Sequence, residues 1–435
     1  MRASKSNPFR RALSRRRFLG TSAGLTIGAA AGGLAPLASA SAATRRLIPE
    51  DKVGTITFTQ RDVPGRLGIA ASAAAGVAPT MGSLGGANFP EDPTDLGPLV
   101  PLPGGWRELF EFLADVGINQ VEFAGYGQNA ANPGGSAGYP SDGNAAGRAA
   151  YLDYAHTLRG FLDEFGLEAI GNHGFIPNTW FGPNSAGGTM TAADELRLRT
   201  ELEFAAILGT PYMGTGNDPT SANNRNIEPW TVSGEKWTAL NQISVNEFGI
   251  HMYTHNHSPA YNFLQDREMV TVTEDRVTGA PIPPTQVRAE SGKRLMQHYL
   301  DITDPELVVI ELDIYWAHVA QHQWRWRYDE NGDRVEDIFD PLAQVATQTI
   351  RYPLYHAKDG DRTVDPPGVG NGYNFVPFGD ATSDIDFETF FKGQGARGYH
   401  SPNYEQDNAP GGSADPGRSL RFTHFSAHNM NTLRG

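Results

Sequence analysis

The stretch His251-Met252-Tyr253-Thr254-His255-Asn256-His257 has the character of a short β-strand and carries three histidines in seven residues. Because alternate side chains of a strand lie on the same face, this pattern predicts that His251, His255 and His257 point to one side. Imidazoles grouped on one face are typical of a metal site, although a histidine run also fits a surface loop. The same arrangement recurs further along the chain, where apolar strand-like segments end in His, Asp or Glu. This recurrence indicates a fold that brings several strand ends together.

Amphipathic helices alternate with short strands over most of the chain. The helix predicted at 106–116 has apolar side chains at helical spacing and ends at Gly117, before a strand at 120–125. The other predicted strands are 53–62, 167–173, 211–216, 251–257, 307–313, 352–357 and 398–405. The other predicted helices are 149–165, 191–208, 234–248, 291–300, 341–350, 387–392 and 418–433.

This alternation predicts an α/β fold with parallel strands, and eight strand units match a closed (β/α)8 TIM barrel. A doubly wound open sheet is the alternative. The barrel is favoured because no Gly-rich phosphate loop follows the first strand and because polar residues end strands all along the sequence. Two segments, 265–288 and 324–338, have the pattern of hairpins inserted on the C-terminal face, the second folded about Asn331-Gly332.

The N-terminus matches a twin-arginine export signal. Ser14-Arg15-Arg16-Arg17-Phe18-Leu19 precedes an apolar Ala/Gly/Leu run at 20–37 and small residues suited to cleavage at 38–42. A membrane anchor fits less well, because the run is short and rich in Gly and Ala. We therefore predict a signal peptide at 1–42, a single barrel domain at 43–435, no membrane span after cleavage, and export to the periplasm or the cell exterior. Export in the folded state suits a protein that binds its metal in the cytoplasm.

The net charge and the absence of cysteine restrict the possible binding partners and metal ligands. Residues 43–435 carry 28 basic and 49 acidic side chains, which gives a net charge near −21. Such an acidic protein is a poor partner for nucleic acids and anionic membranes, and a phosphorylated substrate is disfavoured for the same reason. The chain has no cysteine, so disulfides and thiolate metal sites are excluded, and any metal must be held by His, Asp, Glu or Asn.

In a TIM barrel the C-terminal ends of the strands meet at one mouth, so residues about fifty positions apart can become neighbours. The candidates at the predicted strand ends are Glu122, His173, His255, Asn256, His257, Asp313, His356, Lys358 and Glu405. Imidazoles and carboxylates in one place suit Mn2+, Mg2+, Co2+ or Zn2+. The repetition of polar residues at these positions predicts a divalent-metal site at the mouth.

Several of these candidates also have a structural interpretation. Glu122 could form an internal ion pair, and His173 could be a hydrogen-bonded imidazole of the core. His257 could orient His255 from outside the metal site. Lys358 could pair with a neighbouring carboxylate without touching a substrate. The sequence leaves these alternatives open.

Five short motifs resemble those of one protein family. They are His255-Asn256-His257, Asp313-Ile314-Tyr315-Trp316, His356-Ala357-Lys358-Asp359, Val376-Pro377-Phe378-Gly379-Asp380 with Asp386-Phe387, and Tyr404-Glu405-Gln406-Asp407. On these motifs the chain resembles, over about residues 53–410, the xylose-isomerase-like TIM barrel superfamily and in particular its sugar phosphate isomerase/epimerase branch. The resemblance implies a divalent metal held by residues that end the fifth to eighth strands.

Carried over by motif, the implied metal ligands are His255, Asp313, His356 and Glu405. The first of these departs from the family, in which many members have Glu at this position. His255 lowers the negative charge of the site and could shift the preferred metal toward Zn2+ or Mn2+. It also puts in doubt the proton shuttle between two carboxylates that keto-sugar epimerases of the family use.

The chemistry that the resemblance implies is proton abstraction next to a sugar carbonyl that the metal polarises. The candidate bases are Glu405, His173 and His257. Lys358 and Asn256 are candidate partners of a substrate hydroxyl or of the oxyanion. The predicted substrate-binding residues are Glu122, Asn256, Tyr315 and Trp316, and core packing is the alternative for the two aromatic side chains.

The leading prediction is an exported, metal-dependent isomerase or epimerase of a non-phosphorylated sugar or glycoside, because export separates the protein from cytosolic sugar phosphates. A metal-dependent 3-keto-glycoside lyase or hydrolase is the first alternative, and His255 in place of Glu is compatible with it. An apurinic-site endonuclease of the same superfamily would need a basic groove, which the acidic charge opposes. A non-catalytic secreted sugar-binding barrel is the remaining alternative, and a homo-oligomer is compatible with the sequence.

Overall fold

The structure is a computed structural model. It describes residues 45–64, 105–126, 139–140, 143–177, 180, 189–220, 224–362, 373–394, 400–411 and 417–435. The predicted signal peptide at 1–42 lies outside these residues, so its presence and the export that it implies stay predictions. All the described residues fall within one unit, Thr44–Gly435.

The described residues contain thirteen strands and nine α-helices. The strands are β1 (Gly54–Ile56), β2 (Gln120–Phe123), β3 (Glu168–Asn172), β4 (Tyr212–Gly214), β5 (His251–His255), β6 (Met269–Glu274), β7 (Pro281–Arg288), β8 (Val309–Asp313), β9 (Trp326–Tyr328), β10 (Arg334–Glu336), β11 (Leu354–Arg362), β12 (Tyr373–Val376) and β13 (Ser401–Glu405). The helices are α1 (Trp106–Asp115), α2 (Ala145–Phe165), α3 (Ala192–Leu208), α4 (Ile227–Phe248), α5 (Leu295–Ile302), α6 (Ile314–Gln323), α7 (Pro341–Thr347), α8 (Phe387–Gln394) and α9 (Arg418–Thr432). None of these helices is both long and apolar enough to cross a membrane.

Eight of the strands form a parallel barrel. Their order is β3-β2-β1-β13-β11-β8-β5-β4, and each neighbouring pair in this order is parallel. The ring closes between β3 and β4, where His173 and Gly214 form a parallel bridge and the amide of Gly174 donates to the carbonyl of Gly214 at 2.8 Å. The predicted (β/α)8 TIM barrel is therefore confirmed.

Glycine ends the helices that return the chain to the barrel. Gly166, Gly209 and Gly249 follow α2, α3 and α4 with φ values of 71°, 76° and 69°. Only glycine adopts this left-handed conformation without steric cost, so each helix stops there and the next strand begins within a few residues. At the opposite end of α3, the Thr191 hydroxyl accepts the amide of Asp194 at 3.1 Å and so caps the helix.

The two predicted hairpin insertions are confirmed. Strands β6 and β7 pair from Met269 opposite Arg288, and β9 and β10 pair from Tyr328 opposite Arg334. Both follow the C-terminal ends of barrel strands, β5 and β8. Glu290 connects the two hairpins through its backbone, since its amide donates to the carbonyl of Tyr328 at 3.0 Å.

Helix α6 was not predicted from the sequence, which assigned no element between 313 and 324. It begins directly after β8 because the Asp313 side chain caps it, accepting the amide of Trp316 at 2.9 Å. Its buried residues are Ile314, Tyr315, Ala317, Val319 and Ala320. A helix that is buried on more than one side shows no clear amphipathic period, which explains why the pattern missed it.

The barrel interior has an apolar layer below a polar one. Ile170, Tyr253, Val309 and Leu354 form a separate buried cluster inside the barrel, with Tyr212 packed against it. Above them the inward positions of the same strands carry His, Asp and Glu. The apolar layer therefore supports a polar layer at the C-terminal ends of the strands, where TIM barrels place their chemistry.

Candidate active site

The four predicted metal ligands meet at the mouth of the barrel. His255, Asp313, His356 and Glu405 end β5, β8, the barrel part of β11 and β13, and their ligand atoms all lie within 4.8 Å of one another. His356 Nδ1 lies 2.7 Å from Glu405 Oε2, and His255 Nε2 lies 3.5 Å from Asp313 Oδ2. We call these four residues the upper set. The register places His356 opposite Asp313, which accounts for the convergence.

The atoms of the upper set fit a divalent cation. Asp313 Oδ2, His356 Nδ1 and Glu405 Oε2 are buried and make no hydrogen bond, although each lies within ion-pair distance of a neighbour. Buried polar atoms normally have a hydrogen-bond partner, so a group of such atoms that face one another points to a ligand between them. Two imidazoles and two carboxylates without sulfur suit Mn2+, Co2+ or Zn2+.

Lys358 neutralises the carboxylates beside this set. Its ammonium nitrogen lies 2.7 Å from Glu405 Oε2, 3.1 Å from Asp313 Oδ2 and 2.9 Å from Asp407 Oδ1. Burial alone would lower the pKa of Lys358, but these carboxylates raise it well above its ordinary value. Lys358 is therefore a fixed cation that faces three carboxylate oxygens at ion-pair distance, and its contact with a substrate hydroxyl stays a prediction.

The carboxylates in turn shift the pKa values of the imidazoles. Burial opposes the charged form of His255, but hydrogen bonds with Asp313 and Glu311 raise its pKa to about 9. Burial likewise opposes protonation of His356, and Glu311, Glu405 and Glu122 outweigh it, so that its pKa lies well above the ordinary value. The raised pKa values favour the protonated form of both imidazoles in the metal-free protein, and a cation competes with these protons.

Glu311 is a site residue that the sequence analysis missed. It is fully buried on β8, two positions before Asp313 and on the same face of the strand. Glu311 Oε2 lies 2.7 Å from His173 Nε2 and 3.1 Å from His255 Nδ1. Its position inside the apolar run 307–312 hid it, although the period-two spacing from Asp313 was a signal that could have found it.

His173 points into the barrel and approaches the same carboxylate, Glu311. Its side chain is 17% exposed, and its amide donates to the carbonyl of Phe123 at 2.8 Å. Gly216 makes room for it, because a Cβ at that position would lie 2.6 Å from His173 Nδ1. The close partner of His173 is therefore the buried carboxylate of Glu311, and the role of His173 as a catalytic base stays a prediction.

Glu122 lies deeper than predicted. It accepts the Tyr253 hydroxyl at 2.5 Å and the Asn403 amide at 2.9 Å, and Oε2 lies 3.1 Å from His356 Nε2. Burial and the neighbouring Glu311 raise the pKa of Glu122. Because Glu122 is fully buried with both oxygens engaged, it is an internal partner of the imidazole layer, and its role in substrate binding stays a prediction.

Asn256 is also committed to the fold. Its side-chain amide donates to the carbonyl of Asp313 at 3.2 Å, and its oxygen accepts the amide of Asp313 at 3.0 Å. This two-bond clamp fixes the end of β8 beside β5 and so positions the Asp313 carboxylate. With both polar atoms used and the side chain fully buried, Asn256 holds the end of β8 in position, and its contact with a substrate stays a prediction.

His257 and Trp316 lie at the surface of the mouth. The His257 side chain is 36% exposed, and its ring centroid lies 5.1 Å from that of His255 and 5.4 Å from that of Trp316. Asp218, a residue that the sequence analysis missed, accepts the His257 amide at 2.6 Å and lies 3.6 Å from Nδ1. Tyr315 is only 1% exposed and packs against Trp316, which agrees with the alternative of core packing for this side chain.

No family model matches this chain, and no curated protein is similar to it in sequence. Solved structures share the fold at low identity. A sugar phosphate isomerase/epimerase from Parabacteroides distasonis is 18% identical, with a TM-score of 0.48 over 74% of this chain and 86% of that one. The probable 3-DHS dehydratase of petrobactin synthesis from Bacillus anthracis is 10% identical, with a TM-score of 0.47 over 87% of this chain and 98% of that one.

A third solved structure, the 3-keto-D-glucoside 4-epimerase from E. coli, is 12% identical, with a TM-score of 0.40 over 79% of this chain and 97% of that one. The structural neighbours thus include sugar isomerase- and epimerase-like proteins. At these identities and TM-scores, the fold assignment rests on the strand order of this chain, and the function has to be argued from its own side chains.

Proposed function

We propose that this protein is a metal-dependent sugar isomerase that moves a proton next to a carbonyl of a non-phosphorylated sugar. The observation that carries the proposal is the convergence of the upper set beside one exposed imidazole, His257. A cation held by the upper set would polarise a sugar carbonyl and stabilise the negative charge that develops on its oxygen. The acidic surface and the predicted export both support an uncharged sugar over a sugar phosphate.

His257 is the acid/base group that the contacts favour. Glu405 is engaged by His356 and Lys358, whereas His257 is partly exposed. Asp218 lies on the Nδ1 side of the ring, which leaves Nε2 to accept a proton from the substrate. The imidazolium that forms is stabilised by the Asp218 carboxylate and returns the proton to the neighbouring carbon.

A single accessible base restricts the reaction. Transfer of a proton between adjacent carbons on one face of a sugar needs one base, whereas inversion at a carbon by two-sided transfer needs a base on each face. Among the described residues, the acid/base groups of the upper set are all buried. This arrangement favours isomerisation over epimerisation.

Elimination from a 3-keto-glycoside remains the second candidate, because the same observation supports it. Removal of the proton next to a keto group, followed by loss of a β-substituent, also needs one base and a polarised carbonyl. The two reactions differ in the fate of the product, since isomerisation keeps all carbons and oxygens together and elimination releases an alcohol or sugar.

Trp316 supports a sugar as the ligand. Its ring is half-buried at the mouth, and its centroid lies 5.4 Å from His257. Aromatic rings offer an apolar face to the C–H face of a sugar, while the surrounding polar groups meet its hydroxyls. Trp316 therefore replaces Tyr315 as the proposed stacking residue.

The experiment that tests this function incubates the purified chain with Mn2+, Co2+ or Zn2+ and a panel of aldoses, ketoses and 3-keto-glycosides in D2O. Mass spectrometry and NMR then locate any deuterium in the recovered sugar and detect any released fragment. We expect cation-dependent deuterium incorporation next to a carbonyl, abolished by EDTA and restored by added cation. The test variant is His257→Asn at the mouth, and its matched control is His156→Asn on the exposed outside of α2.

The outcomes separate the candidate functions. Deuterium in an isomerised sugar supports the proposal, and release of a β-substituent supports the lyase. No exchange and no turnover across the panel, with or without cation, would overturn both and favour a sugar-binding barrel. If His257→Asn exchanges deuterium at the wild-type rate, the proposed activity stands, but His257 is not its base.

A further inference from the structure

Four side chains converge on a second point, deeper in the barrel than the upper set. His173, His255, Glu311 and His356 have ligand atoms that all lie within 4.8 Å of one another, and we call them the deeper set. Glu311 Oε2 lies 2.7 Å from His173 Nε2 and 3.1 Å from His255 Nδ1, and Oε1 lies 3.1 Å from His356 Nε2. Three imidazole nitrogens therefore surround one carboxylate.

The spacing of the three rings is close to that of imidazoles around one ion. Nitrogen ligands at about 2.1 Å put the ring centroids about 3.2 Å from a cation, and cis or tetrahedral angles then separate the centroids by about 4.5 to 5.2 Å. The observed separations are 5.6 Å for His173 and His255, 5.3 Å for His173 and His356, and 4.8 Å for His255 and His356. Shifts of a few tenths of an ångström would complete a three-imidazole site.

The surroundings of the deeper set favour a cation as well. Glu311 Oε1 is buried and makes no hydrogen bond, although His356 Nε2 lies within ion-pair distance. Each of the four side chains comes from a different barrel strand or its end, so the backbone holds them rigidly. The carboxylates that belong only to the upper set, Asp313 and Glu405, keep Lys358 as a counter-ion when no cation is bound between them.

Two imidazoles belong to both sets and turn one nitrogen to each. His255 presents Nδ1 to Glu311 and Nε2 to Asp313. His356 presents Nε2 to Glu311 and also to Glu122, and it presents Nδ1 to Glu405. A neutral imidazole has one lone pair, so each ring serves one set at a time. The two sets are therefore alternative positions for one cation.

We propose that His173, His255, Glu311 and His356 form a second cation site inside the barrel, which takes Zn2+, Co2+ or Cu2+ in preference to Mn2+ and Mg2+. Three nitrogen donors and one carboxylate suit the first group of cations, whereas carboxylate-rich sites suit the second. The upper set, with two nitrogens and two carboxylates, is the better site for Mn2+. The inference concerns cation binding alone and does not depend on sugar turnover.

The test measures the affinity of the metal-free full chain for Zn2+ and for Mn2+ by competition with chelators. His173→Asn and Glu311→Gln remove ligands of the deeper set only, and Asp313→Asn and Glu405→Gln remove ligands of the upper set only. We expect each variant of the first pair to weaken Zn2+ binding at least tenfold and Mn2+ binding less than threefold. Each variant of the second pair should weaken Mn2+ binding at least tenfold and Zn2+ binding less than threefold. Pulsed EPR of bound Cu2+ should detect three imidazoles in the wild type and two in His173→Asn.

Two controls keep the result interpretable. His318, His322 and Asp384 form another group at the rim whose ligand atoms are close enough to bind added cation, so all proteins carry His318→Ala and His322→Ala. Circular dichroism of each metal-free variant checks that it is folded. If His173→Asn does not fold, the number of imidazoles around Cu2+ in the otherwise unchanged protein decides the question.

Three results would overturn the second site. One is a Cu2+ spectrum with two imidazoles. Another is a Zn2+ affinity that changes by less than threefold in His173→Asn. If Glu311→Gln then weakens the binding of Zn2+ and of Mn2+ equally, Glu311 only orients the imidazoles of the upper set. The third is equal weakening of Zn2+ and Mn2+ by His173→Asn, which would merge the two sets into one site. A failure of the sugar assay would leave all three readouts unaffected.

Discussion

The ammonium nitrogen of Lys358 lies 2.7 Å from Glu405 Oε2, and the two side chains are only 2% and 6% exposed. Lys358→Met removes the ammonium group and would leave the buried carboxylates of Glu405 and Asp313 without a counter-charge. Loss of one partner of a buried ion pair costs about 3–5 kcal/mol. We therefore expect urea unfolding of the metal-free variant to show a loss of this size.

A bound cation should compensate for that loss, because it supplies positive charge to the same carboxylates. Saturating Mn2+ should raise the unfolding free energy of Lys358→Met more than that of the wild type. The matched control is Lys392→Met, which removes an exposed ion pair with Glu388 and should cost less than about 1 kcal/mol. Equal losses in the two variants would show that the buried ammonium is not needed to hold the carboxylates together.

The assigned base gives a second prediction. His257→Asn should lower kcat for the sugar reaction by about 100- to 10,000-fold, the usual contribution of a general base, and should leave the bound cation in place. Asp218→Asn should lower kcat less, because Asp218 only holds the His257 ring in place and touches no reacting atom. Elemental analysis of each variant checks the cation content. A loss of cation together with activity in His257→Asn would make His257 a metal ligand instead.

The sequence could predict the barrel because its periodic signals are local. Glycines at 166, 209 and 249 mark helix ends, and His255, His356 and Glu405 stand where strands end, so the fold and the strand-end candidates follow from spacing. The choice of the four ligands of the upper set among these candidates came from the resemblance of the motifs to one family. The convergence of these side chains is a consequence of the parallel barrel and needs no further information.

The roles of the other site residues depend on which side chains face into the barrel and which groups they contact there. Glu311 stands in an apolar run and looks like a strand residue until its neighbour His255 is placed opposite it by the register. Asn256 and Tyr315 stand in the right motifs, but one is used to clamp Asp313 and the other is buried beneath Trp316. Long-range pairing decides such roles, and no local pattern contains it.

The raised pKa values of the imidazoles predict how the stability of the metal-free protein depends on pH. The pKa of His255 is about 9 in the folded protein, against about 6.5 for an unfolded histidine. A raised pKa contributes stability that is complete below pH 6.5 and is lost as the pH rises through 9. We expect the unfolding free energy of the metal-free protein to fall across this window, by an amount on the order of 3 kcal/mol from His255.

A cation should reverse this trend, because it binds only deprotonated imidazoles. Zn2+ should therefore stabilise the protein more at pH 9 than at pH 6.5, and calorimetry in buffers of different ionisation enthalpy should detect proton release on binding near pH 7. His255→Asn should flatten the pH dependence of the metal-free protein. A metal-free protein whose stability is constant or rises from pH 6.5 to 9 would contradict the charged state assigned to His255.

Glu290 gives a prediction for the hairpins above the barrel. Its buried carboxylate pairs with Arg225 at 2.8 Å and with Arg276, and it accepts the amide of Tyr328 at 3.2 Å. It thereby joins the segment just before α4, the turn of the first hairpin and β9 of the second. Glu290→Ala leaves two partly buried guanidinium groups and one amide without their acceptor, so we expect a loss of about 3 kcal/mol.

The loss of stability should be greatest in the two hairpins, because Glu290 holds the hairpins and not the barrel strands. Limited proteolysis of Glu290→Ala should cleave the turns at 275–280 and 329–333 faster than in the wild type, while the cation affinity of the upper set stays within about threefold. The control is Glu336→Ala, which removes an exposed pair with Arg325 and should cost less than about 1 kcal/mol. If both variants resist proteolysis equally, the hairpins are held by contacts other than the Glu290 carboxylate.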